Sequence, residues 1–434
     1  MKIRFVTRTA SQVLRRADIF SVLALSVAVT SSFAQPSPAR SENDSLEKEL
    51  NNNLTDYLSA RSSIEHISTL SLTVSFRGDP RVIKIAVGTT QYGGGKEVTL
   101  SNLFQIGSNT KAFTSVLILQ LEAAGMLSIN DTLGKWLPEY PDWSGITIRQ
   151  LLNMTSGIPT YDLTSAQITD YENNPHIEST PAQLVAYVYP KTDFPPGAGW
   201  EYSNTGYILL QMIIEKASRS HSYEKELDRL IAATKTNMRR GCEQFPTSSD
   251  DSRGCRELRN TFYEPYFYPY SIAARLVSGY YVNTDPPALT KLLGDDTSRF
   301  SLGWAQAAGG MLSTPQDLTT WVRAVFEGDV LPAQQKSELE SLVSTEDGQS
   351  IAQTSASNPQ AFGLGIFQAT IPSLGLFWGY QGSTIGYRAA YAYFPTSGLT
   401  MCVFTNSQPP KANDQLVTVL LQALYGTLRN FGKV

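Results

Sequence analysis

Histidine and cysteine are scarce: the 434 residues hold three of each. His66, His176 and His221 lie far apart, and neither His-x-x-x-His nor Cys-x-x-Cys occurs, so the usual spacings of a zinc site are missing. A phosphate-binding glycine loop and a Gly-x-Ser-x-Gly elbow are also absent. Charge is close to balance, with 35 Lys and Arg against 39 Asp and Glu for a net −4. The basic stripe of a nucleic-acid binder is therefore lacking. No run beyond residue 34 approaches the roughly 20 apolar residues that span a bilayer. A metal, an organic cofactor, a nucleic-acid partner and an integral membrane segment in the mature chain are all unexpected.

Residues 1–34 read as a secretory signal. Lys2, Arg4, Arg8, Arg15 and Arg16 give a positive start, an apolar run follows from Ile19 to Val29, and Ser32-Phe33-Ala34 fits a small-x-small cleavage site. A secreted or periplasmic location follows as an expectation. Residues 35–43 read as a Pro/Ser-rich linker and 44–430 as one catalytic-sized domain. Cys242 and Cys255 flank a polar loop. In the oxidising compartment that the signal implies, a Cys242–Cys255 disulfide would close it, in preference to two free thiols. Cys402, in Leu-Thr-Met-Cys-Val-Phe, reads as a core residue of a strand.

With 41% hydrophobic residues the chain can bury a large core. Asp44 to Ser62 has helical spacing of Leu46, Leu50, Leu54, Tyr57 and Leu58. Thr69–Phe76 and Val82–Gly88 read as a hairpin. Strand character returns near the C-terminus, at Phe362–Phe367, Leu376–Tyr380, Tyr387–Phe394 and Leu399–Thr405, with Pro395-Thr-Ser-Gly398 as a turn. Ala412–Leu428 reads as a closing helix. The middle, about 126–360, is rich in helical patterns. The expected fold is α/β (α+β): one antiparallel sheet built from both ends of the chain, flanked by N- and C-terminal helices, with a mostly helical inserted domain.

Three stretches carry chemistry. Phe104-Gln-Ile-Gly-Ser108-Asn-Thr-Lys111 precedes an apolar run that ends at Gly125. On a helix starting at Ser108, Lys111 falls on the same face one turn later. A serine hydroxyl needs a base to become a nucleophile. A lysine whose pKa is lowered by burial can be that base. Tyr202-x-Asn204 follows a Pro/Gly loop and leads into an apolar helix. Trp378-Gly-Tyr380-Gln381-Gly382-Ser383 reads as a strand edge. On its own, Ser-x-x-Lys is a common spacing, and Ser108 could equally be a helix cap.

Together with Leu-Leu-Asn-Met-Thr-Ser-Gly-Ile-Pro, Pro-Gly-Ala-Gly-Trp-Glu-Tyr-Ser-Asn-Thr-Gly-Tyr and Ala-Gly-Gly-Met-Leu-Ser-Thr-Pro-Gln-Asp-Leu, these stretches make a pattern. The chain resembles the serine β-lactamase and penicillin-binding-protein superfamily. It is most similar to the branch of class C β-lactamases, D-alanyl-D-alanine carboxypeptidases, D-aminopeptidases and family VIII-type carboxylesterases. The resemblance implies a β-lactamase/transpeptidase-like fold and a serine hydrolase. Ser108 would form an acyl-enzyme, and Lys111 and Tyr202 would share the proton work, with the order between them open. Lys111 is a candidate to lower the pKa of Tyr202. Asn204 would position substrate and lysine. The oxyanion would sit between the N–H groups of Ser108 and Ser383, and Gly382 would leave room for substrate along the strand.

One departure bears on specificity. Relatives usually carry Lys or His where Tyr380 stands, followed here by Gln381. A substrate carboxylate loses a cationic partner there, so neutral esters or amides are expected to be handled better than penicillin-like compounds. Arg388 on the next strand could replace that charge, but is expected to face solvent. Met154, where relatives often have His, reads as packing. The substrate is expected to be a small D-amino-acid cell-wall peptide, an ester or a β-lactam. The alternatives are a class C-like β-lactamase and a non-catalytic receptor for muropeptides or penicillin.

Overall fold

The computed structural model describes residues 38–243 and 258–434. The signal segment and the Cys242–Cys255 pairing lie outside the described residues. A ten-stranded antiparallel sheet forms the frame. Its strands, numbered along the chain, are β1 (Thr69–Ser75), β2 (Val82–Gln91), β3 (Gly94–Glu97), β4 (Leu342–Ser344), β5 (Ser350–Ile351), β6 (Gln360–Phe362), β7 (Phe367–Ile371), β8 (Gly375–Thr384), β9 (Tyr387–Phe394) and β10 (Leu399–Thr405). The spatial order is β3-β2-β1-β10-β9-β8-β7-β6-β4-β5. The sheet is thus made from both ends of the chain, joined where β1 pairs with β10, Leu70 opposite Thr405.

The central strands are buried on both faces, which explains why they read as nearly continuous apolar runs. Alternation sorts their side chains into two cores. Ala390, Ala392, Phe394, Leu399, Met401 and Val403 join one core with Leu46, Leu50 and Leu54 of α1 (Pro38–Glu65) and with the C-terminal Leu416–Leu428 segment. Tyr387, Ala389, Tyr391, Cys402 and Phe404 face the other core, which contains α2 (Thr110–Ala123), α3 (Asn204–Ala217) and α4 (Pro315–Phe326). Helix α2 is apolar almost all round and accordingly buried, and Gly125 at φ +69° ends it. The N-cap of α4 is Thr314, whose side chain accepts from the Asp317 N–H, with Pro315 in the first turn.

Four details differ from the sequence reading. Helix α1 begins at Pro38, inside the stretch read as linker, because nothing between Ala39 and Asp44 breaks a helix and Pro is tolerated in a first turn. The segment Phe362–Phe367 is not one strand. Phe362 pairs with Phe367 across a turn, where Gly365 adopts φ +85°. The sheet already resumes at Leu342, so the inserted segment ends earlier than 360. The closing helix is a π-helical turn, Leu416–Leu421, followed by α5 (Gln422–Asn430).

Arg388 is the largest correction. It is fully buried rather than solvent-facing. It lies on the β9 face covered by the terminal helices, where its charge is taken up locally. Its guanidinium meets Glu65 at 2.5 Å and Asp414 at 2.6 Å, and donates to the Ser407 carbonyl at 2.8 Å. Glu65 is also held by Arg61 at 2.7 Å and by the Tyr57 hydroxyl at 3.0 Å. Removing one member of a buried pair leaves an uncompensated charge, at about 3–5 kcal/mol. Arg61 remains to cover Glu65, so Arg388→Met is expected to cost about 3 kcal/mol, the low end of that range. Urea unfolding reads this as a lower midpoint. An unchanged midpoint would show that the network contributes nothing net.

Candidate active site

The nucleophile segment is set by a short sheet. Phe104–Gln105 pairs antiparallel with Met311–Ser313, and the Ile106 N–H donates to the Met311 carbonyl at 3.0 Å. A 3-10 turn, Gly107–Asn109, follows and leads into α2. The helix therefore starts just after Ser108 rather than at it. The Asn109 amide locks the turn, donating to the carbonyls of Ile106 at 2.9 Å and of Ala389 on β9 at 2.8 Å. Strand β8 passes against this turn at backbone distance. A Cβ on Gly107, which sits at φ +50°, would lie 2.5 Å from the Ser383 carbonyl oxygen. A Cβ on Gly382 would lie 2.0 Å from that of Ile106. Gly382 thus makes room for the nucleophile turn, not for substrate as its position on a strand edge suggested.

Ser108 Oγ is 3.1 Å from Lys111 Nζ and 2.6 Å from the Tyr202 hydroxyl. Lys111 is fully buried, and its Nζ also donates to Asn204 Oδ1 at 2.6 Å and to the Ala308 carbonyl at 2.7 Å. Burial lowers its pKa to about 7, against a partial upward pull from the Asp162 charge. A neutral amine has two hydrogens and one lone pair. The two shorter contacts consume the hydrogens, which leaves the lone pair for the Ser108 hydroxyl.

Tyr202 goes the other way from the sequence expectation. Burial raises its pKa above the usual 10, although its hydrogen bonds with Ser108 and Tyr380 oppose the shift. Lys111 Nζ lies 4.8 Å from its ring centre, and this proximity does not reverse the effect. Tyr202 is therefore a hydroxyl donor at neutral pH. The Tyr380 hydroxyl donates to the Tyr202 hydroxyl at 3.0 Å, and burial keeps Tyr380 protonated as well. The Tyr380 ring packs edge-on against Phe367, 5.0 Å between centres, on the far side of the β6–β7 turn. Gln381 is held through its Nε2 by Asp414 at 2.5 Å, the same carboxylate that binds Arg388.

A cavity of about 380 Å3 opens over these groups. Ser108, Tyr202, Asn204, Tyr380, Gln381 and Ser383 line it, while Lys111 and Gly382 sit behind the wall. Seven of the residues singled out in the sequence therefore converge with Gly382 on one place. Met154 is buried, in the left-handed region at φ +65°. Asp162 was missed. It lines the cavity, and its carboxylate accepts from Asn204 Nδ2 at 2.8 Å and from the Thr160 hydroxyl. Its signal was its place just beyond the Thr-Ser-Gly-Ile-Pro159 motif. The Ala308 carbonyl was also missed, although it opens the Ala-Gly-Gly-Met-Leu motif. Among the described residues, no group of three or more His, Cys, Asp or Glu could hold a metal ion. Nor is any helix there long and apolar enough to cross a membrane.

The chain is similar to known proteins in sequence and in fold. The family model described as Beta-lactamase matches residues 54–424. Penicillin-binding protein 4* of Bacillus subtilis (strain 168) is 26% identical over 319 residues, covering 73% of this chain and 63% of that protein. The chain thus spans less than two thirds of that relative's length. Protein flp of Staphylococcus aureus (strain NCTC 8325 / PS 47) is 40% identical over 127 residues, 28% of this chain and 24% of that protein. The fold is similar to that of a D-stereospecific amidohydrolase from Streptomyces sp., with TM-score 0.67, 24% identity and coverage of 88% and 98%. It is also similar to that of the D-amino acid amidase from Ochrobactrum anthropi SV3, with TM-score 0.69, 22% identity and coverage of 89% and 99%. The chain belongs to the beta-lactamase family, within the serine β-lactamase and penicillin-binding-protein superfamily.

Proposed function

We propose that this protein is a secreted serine hydrolase that cleaves small amides or esters through an acyl-enzyme on Ser108. The observation that carries the reading is the double hold on one oxygen: Ser108 Oγ lies within hydrogen-bond reach of both Lys111 and Tyr202. Neutral Lys111 takes the Ser108 proton as Oγ bonds to the substrate carbonyl carbon. The oxyanion is received by the N–H groups of Ser108 and Ser383, each donor worth roughly 10²–10³ in rate. Tyr202, protonated and touching the same Oγ, passes its proton to the leaving nitrogen or oxygen as its bond to carbon breaks, and the proton taken up by Lys111 is relayed to the Tyr202 oxygen, which leaves Lys111 neutral again. Water then attacks the ester, with Lys111 again as base.

Amides of D-amino acids, small cell-wall peptides and small esters are the substrate classes. The amidases of similar fold support the amide side of that choice. Among the described residues the cavity wall has no Lys, Arg or His, and Tyr380 stands where the resemblance implies Lys or His as the usual residue. That supports weak binding of penicillin-like carboxylates.

A fluorophosphonate probe is expected to add covalently to Ser108, read by mass spectrometry, and Ser108→Ala to take up none. Absence of an adduct on the wild-type protein would favour a receptor that has kept the fold. The pH profile separates the two bases. The neutral fraction of Lys111 grows as pH rises through about 7, so kcat/KM should climb up to that pH and level off above it. A limb rising only above pH 10 would assign the base to Tyr202 instead. Tyr380→His is expected to shift preference towards carboxylate-bearing acyl substrates. An unchanged ratio between carboxylate-bearing and neutral substrates would rule out that role for position 380.

A further inference from the structure

The cavity wall is chemically one-sided. Among the described residues that line it, only Asp162 has a side chain with a formal charge. The basic side chain of the site, Lys111, lies behind the wall, fully buried and already bonded to Asn204 and Ala308. Asp162 is half-buried and faces the space in front. Two of its acceptor positions are filled, by Asn204 Nδ2 and by the Thr160 hydroxyl. A carboxylate offers about four such positions, so two remain open.

Other residues that line the same cavity suit the same kind of ligand. Tyr171 and Trp304 line the cavity with ring centres 6.1 Å apart in an edge-to-face pair. Aromatic walls of this kind attract cations. Leu163 and Ile168 add apolar surface beside them. The carboxylate is also fixed relative to the nucleophile, through Asn204 to Lys111 and from there to Ser108. A carboxylate that only held Asn204 in place would have no need of an open face towards the cavity.

We propose that Asp162 is the receptor for a protonated amine carried by the acyl half of the substrate, next to an apolar side chain. The class is the α-amino amide or α-amino ester with a free amine, as opposed to its N-acylated form. This rests on the reading of the cavity as the hydrolytic site. In this arrangement the ammonium donates to the two open positions of Asp162, and the carbonyl to be attacked is held over Ser108. Asn204 then serves as the bridge that sets the distance between amine receptor and base.

The experiment separates binding from turnover. Phenylalanine amide and N-acetylphenylalanine amide are titrated calorimetrically into Ser108→Ala and into the double variant Ser108→Ala/Asp162→Asn. The free-amine compound is expected to bind Ser108→Ala more tightly than the acetylated one. Asp162→Asn should shrink that ratio roughly tenfold or more, the worth of one hydrogen-bonded charge. A ratio that Asp162→Asn leaves unchanged overturns the proposal and leaves Asp162 as a support for Asn204 and a modulator of Lys111. Equal binding of the two compounds to Ser108→Ala, or none of either, overturns it as well. Hydrolysis by the protein with Ser108 intact is scored separately. Lack of turnover and of a covalent adduct would undo the hydrolase reading even where the amine still binds at Asp162.

Discussion

The contact on which the site depends is the backbone approach of β8 to the Ile106–Asn109 turn. Gly107 and Gly382 face each other's strand and turn so closely that neither can carry a Cβ. This approach sets the Ser383 N–H beside the serine and closes the cavity on that side. It also ties the nucleophile to the central sheet, because Asn109 bonds to β9 from the same turn. A helix alone could hold Ser108 and Lys111 together. Only the strand brings in Ser383 and Tyr380.

Burial does the second part. Lys111 is an ordinary lysine whose environment lowers its pKa to about 7, and Tyr202 an ordinary tyrosine whose environment keeps its proton. The same desolvation therefore moves two groups touching one oxygen towards their neutral forms, an amine and a phenol, since it disfavours the charged form of each. The β6–β7 turn contributes from behind. Gly365 lies where a Cβ would come within 2.3 Å of Ser115 Oγ and 3.0 Å of the Lys111 carbonyl, so the turn seals the helix against water. On the opposite face, charge is handled differently. Arg388, Glu65 and Asp414 are buried as partners, and Asp414 extends that network to Gln381 in the cavity wall.

Much of this was legible because it is local. Ser108 and Lys111 share one helical turn, the hairpins carry their own turn residues, and the helix starts show Thr-Pro caps. The strand content near the C-terminus was visible as apolar runs. What stayed hidden depends on partners distant in sequence. Arg388 looks solvent-facing until Glu65, 323 positions away, is placed against it. The Phe362–Phe367 turn looks like a strand until the left-handed Gly365 bends it. The direction of the Tyr202 shift depends on burial, which a list of neighbours does not contain. Asp162 looked like any loop carboxylate, because its role depends on which wall of the cavity it reaches.

The pairing of Leu70 with Thr405 has a consequence for the order in which the protein can be made. During synthesis β1 and β2 emerge first, and β1 has one edge open until β10 arrives near the end. Such pairings between distant parts of a chain close slowly, since the intervening loop must be ordered first. Ser108, Lys111 and Tyr202 are all synthesised well before β8 supplies Ser383 and Tyr380. The growing polypeptide therefore holds Ser108 and Lys111 before β8 is there to pack against their turn. The cavity over Ser108 is complete only once β8 is made and the sheet closes.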